Sequence, residues 1–301
     1  MTLNGMLVFL VLTGIYEPSA VQQLPDGRFL VVEDEKQHPF SLIAITRDGK
    51  VSTVPLSPNV QKVEGMSLAL DDLEGLTLDQ SGNLYATTSH SRDGEGKEKK
   101  SREQLIRFRI ENDRIVAPVV ARGVKAALVA KHPVLAAAAE IRDVKNGGGL
   151  NIEALEISAD QKRLLVGFRS PLLDKRAIIA SIENPREIFD AGEAPRISAT
   201  LETLDLGGNG IRGMAYIPSL GGYLVISGPV AREQVQFQLW FWSGDHGSHA
   251  RRVAVPGVPG LEHAEGIGTA VIDGRQQVIL VSDDGNREKG RFAHFLLLDP
   301  E

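Results

Sequence analysis

The stretch IEALEISADQKRLLVGFRS (152–170) contains a unit that recurs along the chain. A charged residue and a small residue open an apolar alternation, a tight turn follows, and a second apolar strand completes the unit. The other copies are YEPSAVQQLPDGRFLVVEDE (16–35), LEGLTLDQSGNLYATTSH (73–90), IRGMAYIPSLGGYLVISGP (211–229) and AEGIGTAVIDGRQQVILVSDD (264–284). One hairpin per repeat, at a nearly regular spacing, indicates a radial β-repeat.

Each unit continues with further strand-like sequence, so that a complete unit offers four antiparallel strands, lettered A to D from the centre outwards. The fifth unit ends after FAHFLLLD and lacks strand D, which the apolar run from Met6 to Ile15 can supply. Closing the ring in this way removes an unpaired edge. We therefore predict an all-β fold with one domain over residues 1–301. It is a five-bladed β-propeller of four-stranded antiparallel blades, with the ring closed by the N-terminal strand; a six-bladed ring with one degenerate blade is the alternative.

Two insertions interrupt the repeats. Residues 123–149 are rich in alanine and leucine, which predicts a helical insertion that the glycines at its end terminate. The highly charged segment from Ser91 to Glu103 is typical of a mobile loop. The first is a D-to-A connection and the second a B-to-C connection, and in an antiparallel blade both emerge on the same face. Long loops on a rigid scaffold often carry function.

The repeats also bring charged residues to that face. One set opens strand A and consists of Glu17, Glu74, Glu153, Arg212 and Glu265. The other set ends strand B and consists of Glu33, Asp34, His90, Arg169, Asp283 and Asp284. Both sets should meet at one mouth of the central channel. Carboxylates crowded together repel each other unless cations or protons compensate.

These residue types suggest particular roles. Calcium accepts many oxygen ligands with tolerant geometry, so we predict a calcium ion held by Glu17, Asp34, Glu153 and Glu265. Arg169 and Arg212 would bind a small anionic substrate or ligand in forked geometry.

The resulting hypothesis is a metal-assisted hydrolase of phosphoesters or esters, with Glu74 or Asp283 as general base and His90 as acid. The alternative is a non-catalytic module that binds a small anionic ligand, a glycan or a protein partner. A solvated structural channel without ligand is a third interpretation.

Bulk properties exclude several classes of protein. With 33 basic and 39 acidic residues and a net charge of −6, the chain lacks the basic excess of a nucleic-acid-binding protein. The absence of cysteine excludes disulfides and thiolate chemistry. The run from Met6 to Ile15 is too short to span a bilayer, and neither a preceding basic residue nor a cleavage site accompanies it. We therefore expect no membrane association and a cytoplasmic location, with the periplasm as the alternative.

Several phrases resemble a known family. EPSAVQQLPDGRFLVVEDE, DLEGLTLD, NIEALEIS, GFRSP, IRGMAY and AEGIG with VSDDG resemble an uncharacterised bacterial β-propeller family, similar in turn to the propellers with esterase-like activity of phytase. The likeness runs from about Tyr16 to Asp299 and implies a propeller with an acidic mouth and ester or phosphoester hydrolysis. The likeness includes Glu17, Glu74, Glu153 and Glu265. Arg212 departs from it, because the related propellers share a glutamate followed by a glycine at the start of the strand. Likeness of fold alone does not establish activity.

Overall fold

The computed structural model describes residues 1–5, 9–34, 38–56, 70–231, 237–256, 261 and 263–300. Its strands form five antiparallel sheets that radiate from a central channel. Blade 1 contains β3 (Pro18–Gln23), β4 (Phe29–Glu33), β5 (Phe40–Ile45) and β6 (Val51–Pro55). Blade 2 contains β7 (Leu73–Leu78), β8 (Leu84–Thr88), β9 (Leu105–Glu111) and β10 (Arg114–Ala121). Blade 3 contains β11 (Asn151–Ile157), β12 (Leu164–Ser170), β13 (Ala177–Ile182) and β14 (Glu202–Leu204).

The remaining blades complete the ring. Blade 4 contains β15 (Gly210–Ile217), β16 (Gly222–Gly228), β17 (Gln238–Trp242) and β18 (Arg251–Val253). Blade 5 contains β19 (Ala264–Ile272), β20 (Arg275–Ser282) and β21 (Ala293–Asp299), with β1 (Asn4–Gly5) and β2 (Leu10–Leu12) paired to β21. The five-bladed fold and its closure by the N-terminal segment are thus confirmed. Part of the predicted closing strand, residues 6–8, lies outside the described residues.

The inner strands contact one another in the cyclic order β3, β7, β11, β15, β19 and back to β3. The core lies between the blades, because each cluster of buried apolar side chains joins two neighbouring sheets. Phe40 of blade 1 and Phe108 of blade 2, for example, meet edge to face with ring centroids 5.3 Å apart. Burying the flat faces of twisted sheets against each other makes the scaffold around the channel rigid.

The predicted helical insertion is present between β10 and β11. It forms α1 (Val124–Lys131), α2 (Pro133–Ala139) and α3 (Val144–Gly147). Leu128 and Leu135 are fully buried against blades 2 and 3. A further helix, α4 (Pro185–Ala191), was not predicted. The fixed φ of proline suits the first helical turn, and the left-handed Gly192 ends the helix. No helix in the described part of the chain has the length and apolar character needed to cross a membrane.

Candidate functional site

Each inner strand carries a β-bulge where it enters the sheet. The register between strands A and B skips one residue in every blade, and the skipped residues are Ser19, Glu74, Glu153, Arg212 and Glu265. The side chain of a bulged residue does not follow the usual alternation between the two faces of the sheet, and bulges often redirect a side chain beside a functional site. We call these five residues the bulge ring.

The register corrects one sequence-based assignment. Ser19 occupies the position of Glu74 in blade 1, so Glu17 lies two residues before the bulge and corresponds to Asp72. The backbone bonds agree: the amide of Asp34 donates to the Glu17 carbonyl at 3.1 Å, and the amide of Ser89 donates to the Asp72 carbonyl at 2.9 Å. Glu17 and Asp72 therefore occupy the same position of their repeats, two residues before the bulge.

The small residue that follows each bulge has a packing reason. A Cβ atom at Gly213 would collide with the carbonyl oxygen of Glu265 in the next blade. At Gly75 it would come within 2.7 Å of the Leu155 side chain of the neighbouring inner strand. The pattern of a charged residue followed by a small one thus reflects the close approach of inner strands around the channel.

On one side of the mouth, arginines and glutamates neutralise each other. Glu153 Oε1 accepts hydrogen bonds from Asn151 Nδ2 at 2.8 Å, from Arg169 Nη1 at 3.2 Å and from Arg212 Nη1 at 3.4 Å. Arg212 also forms a close ion pair with Glu265, and its Nε lies 2.8 Å from Glu153 Oε2 without hydrogen-bond alignment. Arg169 Nε donates to the Pro229 carbonyl at 3.0 Å. Both guanidiniums are therefore committed to protein oxygens.

The opposite side of the mouth is acidic. Glu74 is half-buried and has no hydrogen-bond or ion-pair partner among the described residues. Burial raises the pKa of Glu74 well above its ordinary value, and the negative charges of Glu153, Asp72 and Asp34 add to the effect. Desolvation within the mouth, followed by repulsion from Asp72, raises the pKa of Asp34 to about 7. Asp34 is nevertheless an exposed residue, so screening by solvent opposes this rise.

A third carboxylate behaves similarly. Burial raises the pKa of Asp283 to about 6; repulsion from Glu17 adds to this, and the positive charge of Arg212 opposes it. Asp283 is equivalent to Asp34. The amide of Asp283 donates to the carbonyl of His263, just before β19, at 2.7 Å, as the amide of Asp34 donates to the carbonyl of Glu17, just before β3. Carboxylates with pKa values near neutrality cluster at functional sites more often than elsewhere.

The charged segment from Ser91 to Glu103 is anchored to the mouth. Arg102 Nη1 lies 2.9 Å from Asp72 Oδ2 and donates to Ser91 Oγ at 2.9 Å. The helical insertion joins this contact, because Lys125 Nζ donates to Glu103 Oε1 at 2.5 Å. Arg102 is thus a cation at the acidic side, and its charge lowers the pKa of Asp34 against the opposing influences.

Comparison with known proteins supports the fold and its family. The family described as "Protein of unknown function (DUF3616)" matches residues 124–297. The chain belongs to this family. No match is found among curated proteins. The likeness to phytase-like propellers therefore remains a resemblance inferred from the sequence.

Solved structures show a similar fold at low sequence identity. A glucose dehydrogenase is 15% identical with a TM-score of 0.50, over 98% of this chain and 100% of that chain. The PQQ-bound aldose sugar dehydrogenase of Streptomyces coelicolor is 14% identical with a TM-score of 0.47, over 96% of each chain. A putative oxidoreductase (glucose dehydrogenase) from Thermus thermophilus is 18% identical with a TM-score of 0.48, over 96% of this chain and 98% of that chain. Likeness at these identities concerns the fold alone.

Three residues predicted to lie at the mouth have other environments. His90 is enclosed, with 1% of its surface exposed, and burial lowers its pKa to about 3. This imidazole is neutral at pH 7. Asp284 accepts hydrogen bonds from the Nδ1 and the backbone amide of His294, at 2.7 and 3.0 Å. Glu33 is buried and accepts the amide of Tyr16 at 2.9 Å.

The predicted calcium ligands do not converge on one point. Among the described residues, no group of three or more carboxylates and imidazoles has the geometry to hold a metal ion. Glu153 and Glu265 contact Arg212 instead. Calcium binding at the mouth therefore remains a prediction from the sequence.

Sequence reasoning missed three residues of the site: Asp72, Arg102 and Asn151. Asp72 and Asn151 each lie two residues before a bulge-ring glutamate, at the position that Glu17 occupies in blade 1. Comparing that position across the repeats would have identified both of them. The position of Arg102 depends on the path of the inserted loop, for which the repeat gives no signal.

Proposed function

We propose that the channel mouth is the active site of an ester hydrolase that uses carboxylates as general acid and base. The observation that carries this proposal is Glu74. Glu74 occupies the bulge at the start of β7, has no hydrogen-bond or ion-pair partner among the described residues, and has a pKa raised well above the ordinary glutamate value. Such a carboxyl keeps its proton near neutral pH and can donate it.

Asp34 is the complementary group. With a pKa of about 7 it is substantially ionised at neutral pH, and its charge acts on Glu74. Asp34 would take a proton from the attacking water while Glu74 gives a proton to the leaving alkoxide, and exchange with solvent would restore both groups. Two neighbouring titratable groups with different pKa values are typical of acid–base pairs. Asp283 is a further candidate for the base.

Charge favours a carboxylic ester over a phosphoester. Arg169 and Arg212 are occupied by Glu153 and Glu265, so they offer little charge to an incoming phosphate. The acidic side would repel a dianion, whereas a neutral ester carries no such penalty. The phosphoester substrate expected from the sequence is thus the less favoured of the two.

The test is turnover of a panel of nitrophenyl esters from pH 5 to 9. The Glu74→Gln variant keeps the shape of the side chain but removes the donated proton, and it should lower kcat by about 100-fold or more. Glu111→Gln is the matched control, because Glu111 is exposed at the β9–β10 turn on the opposite face. Turnover that survives in Glu74→Gln would overturn the assignment.

A non-catalytic binding module is the second candidate. It is favoured by the enclosure of His90, which leaves that imidazole unable to assist a leaving group. This candidate predicts saturable binding at the mouth without product, and Glu74→Gln should then weaken binding while no ester is turned over by either protein.

A further inference from the structure

A cavity of about 360 Å³ opens on the face of the propeller opposite the channel mouth. It lies between blades 5 and 1, because its lining comes from the turn after β5, from the turn between β19 and β20, and from the adjoining ends of β20 and β21. Ligand pockets in proteins commonly measure about 300–1,000 Å³, so the size of this cavity suits a small molecule.

The inner wall of the cavity is apolar. Ile272 and Leu297 line it, and both belong to the buried core that joins blade 5 to Ile45 of blade 1. The cavity is thus the open end of this core. An apolar group that enters it would remove its own surface and the surface of these side chains from water, which favours binding.

One pair of charges at the cavity is already neutralised within the protein. Asp299 Oδ2 accepts a hydrogen bond from Arg275 Nη2 at 2.8 Å, and Asp299 Oδ1 accepts one from Gln277 Nε2 at 3.1 Å. All three residues line the cavity. Because both carboxylate oxygens of Asp299 have a donor, this side of the cavity offers no free charge to a ligand.

Two further charges at the cavity are exposed and unpaired. Arg47 and Asp273 both line it, and neither has a hydrogen-bond or ion-pair partner among the residues that the structure describes. Arg47 belongs to blade 1 and Asp273 to blade 5, and their charged ends lie more than 4.0 Å apart. One cation and one anion are therefore separated by a space that a ligand can occupy.

These two charges discriminate between classes of ligand. A simple anion would be attracted by Arg47 and repelled by Asp273, and a simple cation would meet the reverse. A zwitterion satisfies both residues, because its carboxylate accepts hydrogen bonds from a guanidinium and its ammonium donates to a carboxylate. The apolar wall adds a preference for a zwitterion that carries an apolar side chain.

We propose that the cavity between blades 5 and 1 binds an apolar α-amino acid. Its carboxylate lies at Arg47, its ammonium group lies at Asp273, and its side chain packs against Ile272 and Leu297. This inference is independent of the proposed hydrolase, because the cavity and the channel mouth lie on opposite faces of the propeller.

The test is an amide NMR titration at pH 7 that follows the backbone signals of Arg47 and Gly274, one in each turn of the cavity. L-Leucine is compared with three probes that each lack one feature. In 4-methylpentanoate the ammonium group is absent, in 3-methylbutylamine the carboxylate is absent, and in glycine the side chain is absent. Leucine should shift both signals saturably, and each of the other probes should bind at least about fivefold more weakly.

Two variants separate the contributions of the charges. Arg47→Gln should abolish the preference for leucine over 3-methylbutylamine, and Asp273→Asn should abolish the preference for leucine over 4-methylpentanoate. Asp273 has a φ of 50°, which asparagine also tolerates, so the second variant retains the turn. Arg252→Gln is the matched control, because it removes an exposed arginine of blade 4 and should leave leucine binding unchanged.

The contrary outcomes are equally specific. Leucine that shifts neither signal saturably would overturn the proposal. Equal binding of leucine and 4-methylpentanoate by the unaltered protein would overturn it in favour of a site for simple anions, and equal binding of leucine and 3-methylbutylamine would overturn it in favour of a site for simple cations.

Discussion

Replacing Arg212 by methionine should destabilise the propeller strongly. The Arg212 side chain is 9% exposed and contacts both Glu153 and Glu265, and its guanidinium lies over the Phe237 ring at 5.4 Å. Glu153 would retain Arg169 and Asn151. Glu265, which is 10% exposed, would lose its ion pair with Arg212. Removing one partner of a buried ion pair costs about 3–5 kcal/mol, because it leaves an uncompensated charge in a poorly solvated place.

The assay is urea denaturation at pH 7, supported by thermal melts. A loss of about 3–5 kcal/mol corresponds to a fall in Tm of roughly 5–8 °C for a chain of this length. The double variant Arg212→Met/Glu265→Gln removes the stranded charge and should recover at least about half of the lost stability. A loss below about 1 kcal/mol in the single variant would refute the reasoning, as would a double variant no more stable than the single one.

Three other variants probe separate parts of the structure. Burial raises the pKa of Glu156 from 4.5 to about 8, so the contribution of this residue to folding is fully present below pH 4.5 and is lost progressively as the pH rises to 8. Glu156→Gln should therefore lie near wild type in urea midpoint at about pH 4.5 and rise increasingly above it up to pH 9. Gly213→Ala should lower the free energy of unfolding by about 1–3 kcal/mol in urea denaturation, because the inner strands leave no room for a Cβ atom at this position. Gly94→Ala is the control and should not destabilise the protein, because Gly94 has open space around it. Equal effects of the two substitutions would contradict the packing argument. Arg102→Gln removes the cation near Asp34 and should raise the pKa of the Asp34 carboxyl, as measured by an NMR titration. An unchanged pKa would contradict the role given to Arg102.

The repeat in the sequence predicted the architecture well. Hairpins with apolar alternation recur five times, and the last unit lacks an outer strand, so both the number of blades and the closure followed from the pattern. The register within a repeat was harder to predict from the sequence. Blade 1 reads Glu17-Pro18-Ser19-Ala20, in which both Glu17 and Ser19 precede a residue that can pass for the small one. The bulge selects Ser19, and only strand pairing reveals it.

The pairing of charges at the mouth was also beyond the sequence. Arg169 and Arg212 were predicted to face a ligand, yet in the structure both contact Glu153. The difference depends on side-chain direction and on distances of a few ångströms between blades, which a repeat pattern does not encode. The same limit applies to His90, whose enclosure depends on how the segment after β8 packs.

The central claim is that carboxylates of the acidic side titrate near neutral pH because the mouth desolvates and crowds them. The most direct measurement is a carboxyl ¹³C NMR titration of aspartate- and glutamate-labelled protein, with Glu74→Gln and Asp34→Asn to assign the signals. We expect Asp34 to titrate near pH 7 and Glu74 well above 4.5. If both titrate at or below the ordinary values for their side chains, the mouth is a solvated channel and the proposed acid–base site is refuted.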